Sequence, residues 1–143
     1  MNLERTFVLD ASAAIRAARE EEEGCAEAQA AMLAALGAGY EPIAPDLFAY
    51  EVGHASGRGS PRLGGNAPLL LATLQMPRFV QLTPALLVRV QSLAHEARIS
   101  FYDASYVALA EAARTWLWTE DKDLARKFPD IACSGAGVPG RVG

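Results

Sequence analysis

The stretch "TFVLDASAAI", residues 6–15, joins a short apolar run to a segment with helical spacing. The first four of these residues favour a strand, and the run stops at an acid, Asp10. The alanine-rich segment that follows, residues 11–36, repeats apolar side chains at helical intervals and ends at Gly37. This part of the chain therefore predicts a strand that leads directly into one helix.

The same alternation continues through the rest of the chain. Further short strands are predicted at residues 40–46, 78–82, 115–119 and 130–134. Helices are predicted between and after them, at residues 47–55, 67–75, 85–97, 99–112 and 120–128. Strands that alternate with helices predict a parallel sheet covered on both faces, because parallel neighbours need long right-handed crossovers. The fold class expected is α/β.

Length and composition indicate one domain. The chain has 143 residues, of which 51% are hydrophobic, which is enough for one proper core. Residues 1–135 are predicted to form this domain. The segment "SGRGSPRLGGN", residues 56–66, is predicted to be a flexible connection, and residues 136–143 a flexible C-terminal tail because they are rich in glycine.

Hydropathy, charge and cysteine content narrow the class of protein. No apolar stretch approaches the roughly 20 residues of a membrane span, and "MNLERTFVLD" lacks the plan of a signal peptide, so a soluble, cytoplasmic protein is expected. The net charge of -4 argues against coating nucleic acid by bulk attraction. Cys25 and Cys133 are far apart without metal-ligand spacing and are predicted to be reduced thiols.

Two acids follow predicted strands at the edge where parallel sheets bind ligands. Asp10 ends the first strand and Asp121 follows the strand "TWLWT". Both could instead be helix N-caps, although Ser12 and Thr119 compete for those capping positions. The sequence predicts that Asp121 has a redundant capping role and that the nearby Asp123 rotates away along the next helix.

Two further acids occupy helix positions that face the apolar side. Glu51 lies within the apolar arc of the helix over residues 47–55, where a carboxylate becomes neutral or finds a positive partner. Asp103 lies in the first turn of its helix and points toward the sheet. It is spaced from Ser100 as a capping box, so a local structural role is an open alternative.

The four acids, Asp10, Glu51, Asp103 and Asp121, are expected to converge. Carboxylates crowded in one pocket raise one another's pKa, and a hard divalent cation relieves that conflict. Magnesium and manganese favour oxygen ligands and keep several waters, which suits a pocket without histidine or cysteine ligands. The sequence therefore predicts a Mg²⁺ or Mn²⁺ site.

Four motifs follow one another along the chain: "VLDASAAI", "APDLFAYEVGHA", "SFYDASYVALAEA" and "LWTEDKDL". In their order and spacing the chain resembles the PIN-domain ribonuclease family and, within it, the VapC-type toxins of toxin-antitoxin pairs. The resemblance implies that Asp10, Glu51, Asp103 and Asp121 are the catalytic and metal-binding acids, with Ser12 and Thr119 as polar supports. His54 departs from the family pattern, which often has asparagine there, so either a supporting role in the site or a structural role is open to it.

The resemblance also implies a three-layer α/β/α domain with a parallel sheet of about five strands. It implies a metal-dependent ribonuclease that acts on RNA, leaves a 5′-phosphate and a 3′-hydroxyl, forms a homodimer and is blocked by a cognate antitoxin. Five cations are candidate phosphate contacts: Arg58, Arg62, Lys122, Arg126 and Lys127. Two alternatives stay open, a non-catalytic protein-interaction module and a phosphatase with Asp10 as nucleophile.

Overall fold

A computed structural model describes residues 5–20, 23–58 and 65–143 of the chain. Most of the connection predicted at residues 56–66, including Arg62, lies outside the described residues. Within the described ranges, no helix has both the length and the apolar character needed to cross a membrane.

The described residues form one parallel sheet of five strands. The strands are β1 (Thr6–Leu9), β2 (Glu41–Pro45), β3 (Arg78–Val80), β4 (Leu117–Trp118) and β5 (Ala132–Cys133). Their order is β3-β2-β1-β4-β5, and every neighbouring pair is parallel. In the central strand, Val8 is aligned with Ile43 on one side and with Leu117 on the other. The predicted α/β class with a parallel sheet of about five strands is confirmed.

Helices cover the sheet and complete the three layers. They are α1 (Ala11–Ala18), α2 (Cys25–Gly37), α3 (Leu47–Gly57), α4 (Ala67–Leu74), α5 (Pro84–Ala97), α6 (Phe101–Ala113), α7 (Lys122–Lys127) and α8 (Val138–Arg141). All four residues of β1 are buried, which is the pattern of a central parallel strand with helices on both faces. Phe7 stacks on Trp116, with the ring centroids 4.6 Å apart.

The alanine-rich segment predicted as one helix is two helices. Gly24 separates α1 from α2 with a φ of +88°, a left-handed conformation that interrupts a right-handed helix. A Cβ at this position would also lie only 3.2 Å from the Arg16 side chain. Glycine therefore provides both the turn and the space for α2 to pack against α1.

The glycine-rich C-terminal segment is packed against the domain in place of the predicted flexible tail. Gly135–Gly137 form a 3-10 turn and α8 follows it, both packed against α2. Val138 is completely buried in the core, and burial of a valine side chain is worth about 1.5–3 kcal/mol. The Arg141 guanidinium also donates to the carbonyls of Pro129 and Asp130. These contacts explain why the segment is helical despite its glycines.

The strand order creates a crevice at one edge of the sheet. From β1 the chain builds outward to β2 and β3, and then crosses back to place β4 and β5 on the opposite side of β1. The carboxyl ends of β1 and β4 therefore flank the point where the order reverses, which is where open α/β sheets bind ligands. Asp10 directly follows β1 and Thr119 directly follows β4.

Candidate active site

Asp10 lies at the base of this crevice with only 6% of its surface exposed. Its Oδ2 accepts hydrogen bonds from the Thr119 hydroxyl at 2.5 Å and from the Ser12 hydroxyl at 3.0 Å. Asp10 occupies the N-cap position of α1, but its side chain makes no capping hydrogen bond. Both hydroxyls therefore hold the carboxylate toward the crevice, and helix capping does not account for it.

Burial raises the pKa of Asp10 above its ordinary value, more strongly than the hydrogen bonds from Thr119 and Ser12 lower it. The negative charge of Asp103 raises it further. An ionised Asp10 is therefore costly in the protein alone, and a nearby cation would relieve that cost.

Glu51 projects from α3 and is half-buried. The hydroxyl of Tyr106, a fully buried residue of α6, donates to Glu51 Oε1 at 2.6 Å. Burial raises the pKa of Glu51 to about 7, and the charges of Asp10 and Asp103 act in the same direction. The predicted inward orientation of Glu51 is thus secured by a contact between two helices.

Asp103 lies in the first turn of α6, half-buried. Ser100 caps this helix by accepting from the Asp103 backbone N–H at 2.9 Å. Burial raises the pKa of the Asp103 carboxyl, and the charge of Asp121 adds to this effect, while a hydrogen bond from the Ser100 side chain lowers it. Asp103 therefore contacts Ser100 through both its backbone and its carboxyl, and the carboxyl also lines the cavity.

Asp121 has a larger local role than the sequence predicts. Its Oδ1 caps α7 by accepting from the backbone N–H groups of Asp123 at 2.9 Å and Leu124 at 3.2 Å. The Thr119 hydroxyl, which was predicted to compete for this duty, instead donates to Asp10 and accepts from the Asp121 N–H. The prediction of a redundant capping role was wrong because Thr119 is engaged with Asp10.

The four acids face one open cavity of about 1110 Å³. Six of the predicted site residues line it: Asp10, Ser12, Glu51, His54, Asp103 and Asp121. Thr119 is buried behind Asp10 and reaches the site through its hydroxyl. His54 lies on the exposed side of α3 at the edge of this cavity. Residues more than a hundred positions apart in the sequence are thus brought to one crevice, while their roles stay predictions.

Arg16, Arg19 and Arg58 also line the cavity, and Arg16 is paired there with Glu120. Within the part of the chain that the structure describes, no lysine or arginine forms an ion pair with Asp10, Glu51 or Asp103. The charge of Asp103 raises the pKa of Asp10, and the charges of Asp10 and Asp103 both raise the pKa of Glu51, so these acids repel one another. This excess of buried negative charge is the property that a divalent cation would balance.

The donor set fits a hard cation that retains water. The ligands on offer are carboxylate oxygens, which suit Mg²⁺ or Mn²⁺ better than a softer metal. Among the residues in the described ranges, no three Asp, Glu, His or Cys side chains are gathered closely enough to form a complete metal site. Magnesium usually keeps several waters and takes one or two protein carboxylates, so an open arrangement of this kind is compatible with it.

Sequence reasoning did not identify the tyrosine and glutamate that support the site. Tyr106 lies in an apolar helix and carries no sequence signal beyond that of a core residue. Glu120 lines the cavity, its carboxylate accepts from Trp118 Nε1 at 2.9 Å and from the Gly135 N–H at 3.0 Å, and it lies 3.5 Å from Arg16. Glu120 is therefore a paired acid that ties β4 to the C-terminal segment.

The predicted phosphate contacts differ in where they lie. Arg58 lines the cavity. Arg126 and Lys127 form ion pairs with Asp123, which is exposed and does not line the cavity. Lys122 does not line the cavity either, so Arg58 is the one of these cations that the structure, in its described ranges, brings to the cavity of the four acids.

The sequence and the fold match known proteins. The model of the PIN domain family matches residues 7–128. PAE2754 of Pyrobaculum aerophilum has a similar structure, with a TM-score of 0.72 and 24% identity over 96% of this chain and 88% of that one. VapC20 of Mycobacterium tuberculosis, a sarcin-ricin loop cleaving toxin, is similar with a TM-score of 0.64 and 14% identity over 84% of this chain and 93% of that one. At these identities the two structures show the shared fold. No curated protein matches the sequence significantly.

Proposed function

Because the chain belongs to the PIN domain family, we propose that it is a metal-dependent ribonuclease that hydrolyses RNA phosphodiester bonds. The observation that carries this proposal is the convergence of Asp10, Glu51, Asp103 and Asp121 on one cavity. Asp10, Glu51 and Asp103 have no cationic partner among the described residues. Neighbouring carboxylates raise one another's pKa, and a divalent cation of a hydrolytic centre would relieve that conflict.

In this proposal Asp10 and Asp103 hold the principal ion, Mg²⁺ or Mn²⁺, and Glu51 and Asp121 complete the pocket directly or through water. The bound ion would lower the pKa of water to supply a nucleophile and would balance negative charge on the phosphate. Ser12 and Thr119 keep Asp10 in one orientation through two hydrogen bonds to the same oxygen. Tyr106 does the same for Glu51 through its hydroxyl. The expected products carry a 5′-phosphate and a 3′-hydroxyl.

We further propose that the chain is the toxin of a VapBC-type toxin-antitoxin pair. Its fold likeness to VapC20 supports this assignment. An antitoxin that covers the open cavity would then control the activity, and a homodimer and a cytoplasmic location fit the same proposal.

The phosphatase alternative receives no support from the geometry around Asp10. An aspartate nucleophile of that class usually has a second acid two residues later, and this chain has Ser12 there. The Ser12 hydroxyl donates a hydrogen bond to Asp10, and it does not supply the second carboxyl group that a phosphatase of this class has there. The interaction-module alternative requires the acids to be helix caps; Asp121 does cap α7, but the Asp10 side chain makes no capping bond to α1.

The proposal is tested by incubating the purified protein with total RNA in the presence of magnesium or manganese, and in parallel with excess EDTA. We expect cleavage with either metal and none with EDTA, because the acids alone cannot activate water. Fragment ends are then assigned by enzymatic labelling, which should find 5′-phosphates. Cleavage that persists in EDTA, or absence of cleavage with both metals, would contradict the proposal.

A further inference from the structure

Two exposed tyrosines flank the acidic cavity. Tyr50 on α3 is 80% exposed and Tyr102 on α6 is 62% exposed, and both line the cavity. Each directly precedes an acid of the site, Glu51 or Asp103. Successive residues of a helix are turned by about 100°, so on both helices the acid enters the cavity while the tyrosine stands at its rim.

The tyrosine on α3 begins a row of flat, exposed side chains. His54 lies one turn further along α3, and Arg58 caps the end of the same helix. All three side chains are exposed and line the cavity. The row along α3 therefore consists of the aromatic ring of Tyr50, the imidazole of His54 and the guanidinium of Arg58. Each of these groups has a planar face.

The ring of Tyr102, which α6 brings to the cavity, has an aromatic support. Phe101 contacts it edge-to-face, with the ring centroids 6.4 Å apart and the planes at 87°. A supported ring loses less side-chain entropy when a ligand stacks on it.

Planar, exposed side chains beside a phosphate-cleaving centre have a specific chemical use. Unpaired RNA bases stack on aromatic rings and on arginine planes. Residues four apart on a helix are separated by about 6 Å of rise, compared with about 3.4 Å between nucleotides of one duplex strand. The row on α3 is therefore spaced for bases that have been pulled apart.

We propose that Tyr50 and Tyr102 are base-stacking platforms on the two sides of the cleavage site, and that His54 and Arg58 continue the track beyond Tyr50. The bases adjoining the scissile phosphate leave their stack and lie on the two rings, which places the phosphate over the acids between them. This inference rests on the proposed ribonuclease function and assigns the residues that position its substrate.

The test measures binding separately from cleavage. The parent is the Asp103→Asn protein with magnesium, and the probe is a short fluorescent single-stranded RNA followed by anisotropy. Tyr50→Ala and Tyr102→Ala should each weaken binding by about 5- to 100-fold, since stacking on one ring is worth about 1–3 kcal/mol per base. Tyr50→Phe and Tyr102→Phe keep the ring and should stay within about 3-fold of the parent.

Leu33→Ala is the matched control, because Leu33 is 70% exposed on α2 and does not line the cavity. It should bind RNA as the parent does. An RNA with an abasic nucleotide next to the cleavage position should bind the parent more weakly than the intact RNA does. The alanine variant that has lost the ring facing this position should bind the two RNAs almost equally.

The inference would be overturned if Tyr50→Ala and Tyr102→Ala both bound the RNA as tightly as the parent does. It would also be overturned by a parent that does not bind single-stranded RNA, or by alanine variants that bind RNA normally and lose only a protein partner. If the parent binds RNA through both rings but the wild-type protein cleaves no RNA with either metal, the ribonuclease proposal fails and the base-binding assignment stands.

Discussion

Replacing Asp103 with asparagine is expected to lower kcat for magnesium-dependent RNA cleavage by roughly 10³-fold or more, equivalent to about 4 kcal/mol of transition-state stabilisation. The substitution keeps the size and shape of the side chain and removes its charge. The backbone N–H of residue 103 would still donate to Ser100, so α6 keeps its cap. Steady-state cleavage rates, together with circular dichroism of the variant, measure both effects.

The matched control for this variant is Asp123→Asn. Asp123 is also an acid in the first turn of a helix, but it is exposed and paired with Arg126 and Lys127. It should cleave RNA at the wild-type rate. If Asp103 were only part of a cap, its substitution would instead cost about 1 kcal/mol of stability with little loss of activity, and that result would remove Asp103 from the site.

The metal-free protein is expected to lose stability as the pH rises from about 4.5 to about 7. Asp10, Glu51 and Asp103 have pKa values raised mainly by burial, so the folded protein retains protons that the unfolded chain releases. When the pKa of a group is higher in the folded than in the unfolded state, the group stabilises the fold fully at a pH below its unfolded pKa. This contribution to the free energy of unfolding is lost as the pH rises to the folded pKa. For Glu51 this window runs from its ordinary 4.5 to about 7.

The expected size of this effect is moderate because Glu51 is partly exposed to solvent. After that discount, about 1–2 kcal/mol is expected, which corresponds to roughly 5 °C in Tm. Saturating magnesium should restore the Tm at the higher pH, since the cation binds the ionised carboxylates. Thermal denaturation at several pH values, with EDTA or with magnesium, measures both the loss and the recovery.

Asp10→Asn is the control for the pH effect. Asparagine retains an oxygen that can accept from Ser12 and Thr119, but it removes one of the charges that raise the pKa of Glu51. The variant should be more stable than the wild-type protein at the higher pH in EDTA, and magnesium should shift its Tm little. A metal-free wild-type protein whose Tm rises over the same pH range would show that these acids are stabilised when ionised, contrary to this account.

The arrangement of strands and acids could be predicted because it depends on local signals. Asp10 follows a buried apolar run, and the strand order of a parallel sheet then brings it to the same edge as the end of β4. The acid in the apolar arc of α3 could be identified from helical periodicity alone. These features need only the pattern of the chain around each residue.

What escaped prediction depends on contacts between distant segments. The Tyr106–Glu51 hydrogen bond joins α6 to α3, and the Thr119–Asp10 hydrogen bond joins the end of β4 to the end of β1. No local pattern distinguishes Tyr106 from a core tyrosine, and the supporting role of Thr119 was expected from the family resemblance alone, because locally it could equally be a helix cap. In the same way, the single buried side chain of Val138 fixes a glycine-rich segment that has no apolar periodicity of its own.

In the proposed metal centre, acids from distant parts of the chain bind a divalent cation between them. Anomalous X-ray diffraction from crystals soaked in manganese tests this binding most directly. We expect an anomalous peak in the cavity, bonded to carboxylate oxygens of Asp10 and Asp103, with Glu51 and Asp121 bonded directly or through water. If crystals soaked in millimolar manganese show no peak there, or a peak bonded to other residues, these acids are not the metal ligands.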